Sequence, residues 1–374
     1  MRYFLIILVF IIVGCNDISS DSNDVQDSKK AFDFALLSQA PQAQQNLTIN
    51  SMARFYLLDG KIGENNAKMY LTIAQNAEST VESTQNIESQ DKPFANIYGK
   101  IIVNNDIFII KGDAEPDSKV ILLALEHRDK SQILEANIFE NGEVSGTFND
   151  SGFFPQGTKA NFKKSNARIN EITMLNESTS KAITGKDYDG SKRDFTHNIS
   201  VQIPTILGDN DAITTINESL KNSVNFEPEQ EDASYNFEGI SRFDVEYIDD
   251  KVIVFNHYIY VYSGGAHGSY SNDGIAFWLD SGESIPNDAK YLLKNENDKK
   301  LLSLITKRLK KEYGDTIDTP INLSKFKITN DGVEFYWGIY EIAPYAAGIV
   351  SIKFAFSEIA PFVREDCLYF YQFQ

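Results

Sequence analysis

Four histidines are the side chains of this sequence best suited to proton transfer or metal binding near neutral pH: His127, His197, His257 and His267. Their spacing excludes a local zinc motif such as H-E-x-x-H, so a metal site would have to be composed from separate elements. His257 and His267, which flank one turn, are the nearest pair for that purpose. No metal and no cofactor are expected. The sequence has no G-x-S-x-G elbow, no G-x-x-x-x-G-K-[ST] loop and no G-x-G-x-x-G turn, so serine-hydrolase and nucleotide chemistry lose their usual anchors. Paired carboxylates, Asp249 with Asp250 and Asp315 with Asp318, sit in turn or loop contexts that turn chemistry explains. Cys367 lies in the apolar run Cys367-Leu368-Tyr369-Phe370-Tyr371, which predicts a buried, inert thiol. The expectation is a protein without enzyme activity. A hydrolase with a composed site is the alternative, and it requires converging histidines and carboxylates.

Residues that could bind rather than react concentrate in two places. The stretch from Asp244 to Glu283 contains an unbroken run of β-formers, Val252 to Tyr262, followed by Ser263-Gly264-Gly265-Ala266-His267-Gly268. Alternation sets Ile253, Phe255, Ile259 and Val261 on one face and Val254, Tyr258, Tyr260 and Tyr262 on the other, and both faces are expected to be covered. Gly264 and Gly265 can take positive φ and let the chain turn tightly. Two roles fit His267: a binding residue, or a structural one whose ring nitrogens satisfy nearby backbone groups. Tyr258, Tyr260, Tyr262 and Tyr270 likewise suit either an aromatic contact surface for a protein or glycan, or a core covered by a helix. Tyr340, Pro344, Tyr345 and Gly348 pose the same question in a second place, where proline and glycine argue for a fixed loop.

The elements that must position these residues follow from periodicity. From about 51 to 168 short alternating runs separated by turn residues predict a β-rich antiparallel domain. Its strands include Met69 to Ala74, Ile97 to Val103, Ile107 to Gly112 after an Asn104-Asn105-Asp106 hairpin turn, and Val120 to Leu125. Gly142 to Phe148 and Gly152 to Thr158 are expected as two further strands. From 169 to 374 the pattern changes to an α+β domain, an antiparallel sheet packed with two main helices. The first helix is expected over Asp209 to Val224, with Ile213, Ile216 and Leu220 in phase. The second is expected over Lys299 to Tyr313, with Leu302, Ile305 and Leu309 inward, Lys299, Lys300, Lys307, Arg308, Lys310 and Lys311 outward, and Gly314 as C-cap. Strands near Phe326, at Val333 to Trp337 and at Ile349 to Phe356 complete the domain.

The chain has 374 residues, 42% of them hydrophobic, enough for two cores. Its 53 Asp and Glu against 35 Lys and Arg give a formal net charge of -18. Nucleic acid and anionic lipid are therefore repelled as general partners, and a cationic partner is attracted. Acidity that merely keeps an envelope protein soluble is the simpler account.

Residues 1–14 place Arg2 ahead of a short apolar run ending in small residues, the pattern of a signal peptide. Ile12-Val13-Gly14-Cys15 resembles the lipobox of bacterial lipoproteins. The resemblance implies that Cys15 is lipidated and anchors the protein to a membrane of the cell envelope, facing the periplasm or cell exterior. Residues 15–50 then read as a polar tether interrupted by Phe32, Phe34, Leu36 and Leu37. With Cys15 acylated, Cys367 has no partner for an intrachain disulfide.

Ile203-Pro204 with Ile216-Asn217, Tyr258-Ile259-Tyr260 before Gly264-Gly265-Ala266-His267-Gly268, Gly332 to Trp337, and Tyr340-Glu341-Ile342-Ala343-Pro344-Tyr345-Ala346-Ala347-Gly348 together resemble the PdaC-like and RsiV-like extracytoplasmic modules. The resemblance covers roughly the C-terminal half. It implies a non-enzymatic binding role toward a cationic protein such as lysozyme, or toward peptidoglycan, with Tyr258, Tyr260, Tyr262, Gly264, Gly265, His267, Tyr340 and Tyr345 as candidate contacts. The deacetylase domain found beside such modules in PdaC has no counterpart here. The cytoplasmic sigma-binding segment and transmembrane helix of RsiV-type proteins are also absent from the reading. A structural or assembly lipoprotein docking onto another envelope component is the competing expectation.

Overall fold

The computed structural model describes residues 48–75, 95–114, 120–187, 189–224, 226, 235–318 and 320–373. Cys15, the segment expected as a signal peptide and the expected tether through residue 47 lie outside the described residues, and residues 48–50 of that expected tether are strand.

Eight strands come first: β1 (Thr48–Ile62), β2 (Asn65–Gln75), β3 (Ala95–Val103), β4 (Asp106–Ala114), β5 (Ile121–His127), β6 (Lys130–Ile138), β7 (Val144–Phe148) and β8 (Lys159–Lys164). Each pairs antiparallel with the next, and β8 returns to pair with the C-terminal half of β1, Ile62 opposite Ala160. The result is a closed up-and-down barrel, which leaves no free edge along that half of β1. Alternation explains why it closes: Leu58, Met69, Leu71, Ile110, Leu123, Leu125, Leu134 and Phe162 all point inward and are buried. Lys130, Glu135 and Asn137 point outward. The exterior is mixed, since Ile109, Leu122 and Ile133 are exposed there too. The expected Asn104-Asn105 hairpin is present, both residues with positive φ (50° and 68°), as a two-residue turn requires.

One expected strand is not a strand. Residues 152–158 form a loop across one end of the barrel, because Phe154 packs on Phe148 and Phe108 while Gln132 holds the loop backbone. The Gln132 amide donates to the carbonyls of Asp150 and Phe154 and accepts from the Phe154 N–H. Glycine punctuation misled here, since Gly152 packs on that same Gln132 side chain.

The sheet does not stop at the barrel. The N-terminal half of β1 pairs with β9 (Glu171–Lys186), which leads to β10 (Lys192–Ile206), β11 (Phe237–Ile248), β12 (Val252–Ser263), β13 (Ser269–Trp278) and the short β14 (Ser284–Ile285). β1 thus belongs to both units. The expected all-antiparallel arrangement needs one correction: β10 and β11 are parallel, with His197 opposite Phe237. Parallel neighbours need a crossover, and helix α1 (Asp211–Asn222) supplies it. Asn210 caps α1 by accepting from the Ile213 N–H, and Ile213, Ile216 and Leu220 are buried as the spacing predicts.

The remaining elements cover the other face. They are α2 (Ala289–Leu292), α3 (Lys299–Tyr313), the three-stranded antiparallel sheet β15 (Lys325–Ile328), β16 (Gly332–Trp337), β17 (Val350–Ala355), and α4 (Phe356–Ile359). α3 buries Leu301, Ile305 and Leu309, each contributing roughly 2 kcal/mol, and Leu302 packs at the margin. Asp298 caps its start, and Gly314, at φ 72°, ends it as expected. The chain is mostly β, so the α+β expectation holds for the helices and overstates their share.

Candidate functional site

The two faces of β12 fare differently along its length. Ile253 and Phe255 are buried in the core beneath α1, while Val252 and Val254 are buried in the core beneath α3. Beyond His257 the cover ends, and Tyr258 to Tyr262 are only half-buried. The expectation that both faces are covered therefore fails for the tyrosines. The reason is geometric, because the small sheet and α3 lie over the first half of the hairpin and the second half projects past them.

On that projecting half, alternation puts Tyr258, Tyr260 and Tyr262 on one face, and the β12–β13 register sets Tyr260 directly opposite Tyr270. The turn between the strands is built as its glycines require, with Gly264 at φ 87° and Gly265 at φ 90°. Gly268 lets the backbone lie against the Tyr260 ring, where a Cβ would come within 2.5 Å of it. Tyr262 Oη donates to the Gly265 carbonyl at 3.1 Å.

A loop distant in sequence completes the surface. Residues 338–348, between β16 and β17, bring Tyr340 and Tyr345 onto the turn. The His267 and Tyr345 rings stack with centroids 3.9 Å apart. Tyr340 lies 5.6 Å from Tyr345, and Tyr270 meets Tyr345 edge-on at 5.9 Å. Tyr258 extends the series, its ring 6.3 Å from Tyr270. Tyr345 Oη donates to the Gly268 carbonyl at 2.9 Å. His267 Nδ1 sits 3.1 Å from the same carbonyl, which favours the tautomer protonated at Nδ1 and leaves Nε2 to face the Tyr340 hydroxyl at 3.4 Å. Gly348, at φ 72°, makes room for the Tyr270 hydroxyl.

Tyr340 is the unusual member. It has φ 66°, a left-handed conformation that costs a bulky L-residue about 1–2 kcal/mol, and it is 62% exposed.

Of the candidate contacts, His267, Tyr340 and Tyr345 meet directly, Tyr258 and Tyr260 adjoin them through Tyr270, and Tyr262, Gly264 and Gly265 shape the turn itself without touching the loop. The other histidines do not join this surface. His127 packs on Phe108 at the barrel, and His197 is buried near Tyr235 and Phe237. His257 faces the opposite side of β12, stacked 4.0 Å from Phe243, with Ser241 Oγ 2.8 Å from its Nε2. Burial lowers its pKa from 6.5 to about 4, against the opposing pull of Asp273. His257 and His267 thus do not converge, and among the described residues no group of three His, Cys, Asp or Glu is placed to hold a metal. Cys367 is buried, and burial raises its thiol pKa.

Sequence reasoning missed a polar seam between barrel and sheet. Lys100 Nζ on β3 donates to the Glu246 carbonyl at 2.7 Å and reaches its carboxylate at 3.2 Å, with the Tyr70 ring 4.9 Å away. Tyr70 Oη donates to Asn330, whose amide donates to the same Glu246 carbonyl. Burial lowers the Lys100 pKa, and Glu246 opposes that shift. Nothing local in the sequence marks these partners, which lie on four different strands and turns.

Residues 290–357 match the family model described as "Protein of unknown function (DUF3298)". The matched segment contains Tyr340 and Tyr345 but starts after the glycine turn, so it is shorter than the C-terminal half that the motifs led one to expect. Two solved structures of that family are similar to this chain. One, from Bacteroides fragilis, is 17% identical over 51% of this chain and 94% of its own, with a TM-score of 0.39. The other, from Pseudomonas aeruginosa, is 13% identical over the same shares, with a TM-score of 0.38. Comparison with curated proteins gives no match. The segment from Lys290 to Ser357 is accordingly a DUF3298 domain, and it supplies one of the two loops of the aromatic surface.

Proposed function

We propose that this chain is a lipid-anchored protein of the bacterial cell envelope that binds a cationic protein, with lysozyme the first candidate, through the His267–Tyr340–Tyr345 surface. The observation that carries the reading is the convergence of two separate turn motifs into one partly exposed aromatic cluster. That cluster includes a strained, outward tyrosine. Tyrosines supply large, rigid contact area at low entropic loss, which suits protein recognition. The net charge of -18 favours a basic partner and speeds its approach. A DUF3298 domain is compatible with the PdaC-like and RsiV-like resemblance, and Cys15 in its lipobox context supports the anchor. The role proposed is binding, without catalysis.

Calorimetry against lysozyme tests this, using wild type and Tyr260→Ala, His267→Ala and Tyr345→Ala at unchanged net charge. Saturable binding at low salt is expected, with the loss concentrated in one or two variants and at least about tenfold in Kd. An equal small loss in all three would mean nonspecific charge attraction. No saturable binding by wild type would overturn the lysozyme reading and leave assembly with another envelope component as the better account.

A further inference from the structure

Helix α3 is a local reversal of the molecule's charge. Among its fifteen residues are Lys299, Lys300, Lys307, Arg308, Lys310 and Lys311 and a single acid, Glu312. Arg308 is accounted for: it pairs with Glu358 at 2.6 Å and donates to the Lys353 carbonyl. The five lysines are exposed. At about 100° per residue, Lys299, Lys310, Lys307, Lys300 and Lys311 fall within an arc of about 120°, interrupted only by Ser303. That arc lies opposite Leu301, Ile305 and Leu309, which are buried against the small sheet. Glu312, the one acid, is exposed at the last turn, but on the helical wheel it falls in line with Leu301, Ile305 and Leu309 and outside the lysine arc. Of the nearby acids, Asp298 is engaged in the N-cap and Glu358 with Arg308, while Asp315 is exposed just past the C-terminal end of the helix. The lysines thus form a stripe of one sign about 18 Å long on the outermost layer of the fold.

We propose that this stripe docks the domain on the anionic headgroups of the membrane to which the chain is tethered. The inference rests on the anchored reading of Cys15. Lysine, a compact and strongly hydrated point charge, suits a diffuse layer of phosphates better than a single shaped phosphate site. The overall charge of -18 does not oppose this, because screening limits the reach of exposed charges to about 8 Å at physiological ionic strength. At contact the bilayer meets the α3 stripe rather than the molecular average. Outside α3 the chain is acidic on balance, so the charge distribution favours this face over the rest and orients the body as well as holding it. About 33 residues separate Cys15 from β1, a maximum reach on the order of 110 Å, enough for any face to meet the surface. Tethering keeps the local lipid concentration high, so weak contacts suffice.

The test is lysine acetylation of the full chain, purified from membranes and reconstituted into vesicles of phosphatidylcholine alone or mixed with phosphatidylglycerol, read by mass spectrometry. Lys299, Lys300, Lys307, Lys310 and Lys311 should label at least about threefold more slowly on the anionic vesicles, and raised salt should restore the rate. Lys181 and Lys192, exposed on β9 and β10, should label equally on both. Equal labelling of the stripe on the two vesicle types overturns the proposal. So does slowing of Lys181 and Lys192 to the same degree, or protection of the stripe by soluble polyphosphate without protection on vesicles. Recovery of the chain with vesicles reports the anchor separately. Recovery with both types and unprotected lysines defeats the docking alone, and recovery with neither defeats the anchor and the docking together.

Discussion

The imidazole of His267 lies nearly flat on the phenol of Tyr345, 3.9 Å between centroids and 25° between planes, and the Tyr345 hydroxyl continues past it to the Gly268 carbonyl. One ring therefore fastens the β12–β13 turn to the loop between β16 and β17. The turn cannot shift without breaking both the stack and the hydrogen bond. Two short motifs on different strands are thereby held as one rigid face, and rigidity before contact reduces what association must spend on ordering side chains.

The glycines of the turn should show their roles through stability alone. Gly265 has φ 90° and open space where a Cβ would go, so Gly265→Val carries only backbone strain, about 1–2 kcal/mol. Gly264, at φ 87°, also has Tyr235 Cβ at 3.0 Å from that position, so Gly264→Val should be the more destabilising of the two. Denaturant melts of both variants decide the order. Wild-type midpoints for both would mean that the turn does not hold this geometry.

Much of this arrangement was legible in the sequence, for identifiable reasons. Ile213, Ile216 and Leu220, or Ile305 and Leu309, declare their helices because each burial face depends on local spacing alone. The strained turn was legible because Gly264 and Gly265 perform a task few other residues can. Closure of the barrel was not, since pairing of Ile62 with Ala160 depends on strand register across about a hundred residues. The parallel pairing of β10 with β11 and the Lys100–Glu246 contact were hidden for the same reason. Cover over Tyr258, Tyr260 and Tyr262 was also unreadable, because alternation sets a face and cannot say how far the opposing layer extends.

His257 should make stability depend on pH. Its folded pKa is lowered by burial to about 4 from 6.5, so between those values the unfolded chain binds more protons than the native one. The stabilisation is present above about pH 6.5 and is lost as pH falls toward about 4, on the order of 3 kcal/mol in all. Urea melts of wild type and His257→Gln at pH 7 and pH 4.5 isolate this contribution from that of the carboxylates. The variant should lose less stability over that interval, and an identical loss would show that His257 does not titrate as its surroundings require.

Tyr340 should separate stability from binding. Replacing it with glycine removes the left-handed strain of about 1–2 kcal/mol, while the added freedom of the unfolded chain takes back about 0.4–1 kcal/mol. Tyr340→Gly should therefore melt at or slightly above wild type, even though its ring is lost from beside Tyr345. Binding to lysozyme should fall at least about tenfold if this 62% exposed ring is a contact anchor. The pairing of outcomes is what discriminates, because a ring kept for packing would lower stability when removed and leave affinity unchanged. A residue that weakens the fold it belongs to and strengthens only the complex has its explanation in the partner. A stable Tyr340→Gly protein with unaltered affinity would remove Tyr340 from the contact surface and leave its conformation without a functional reason.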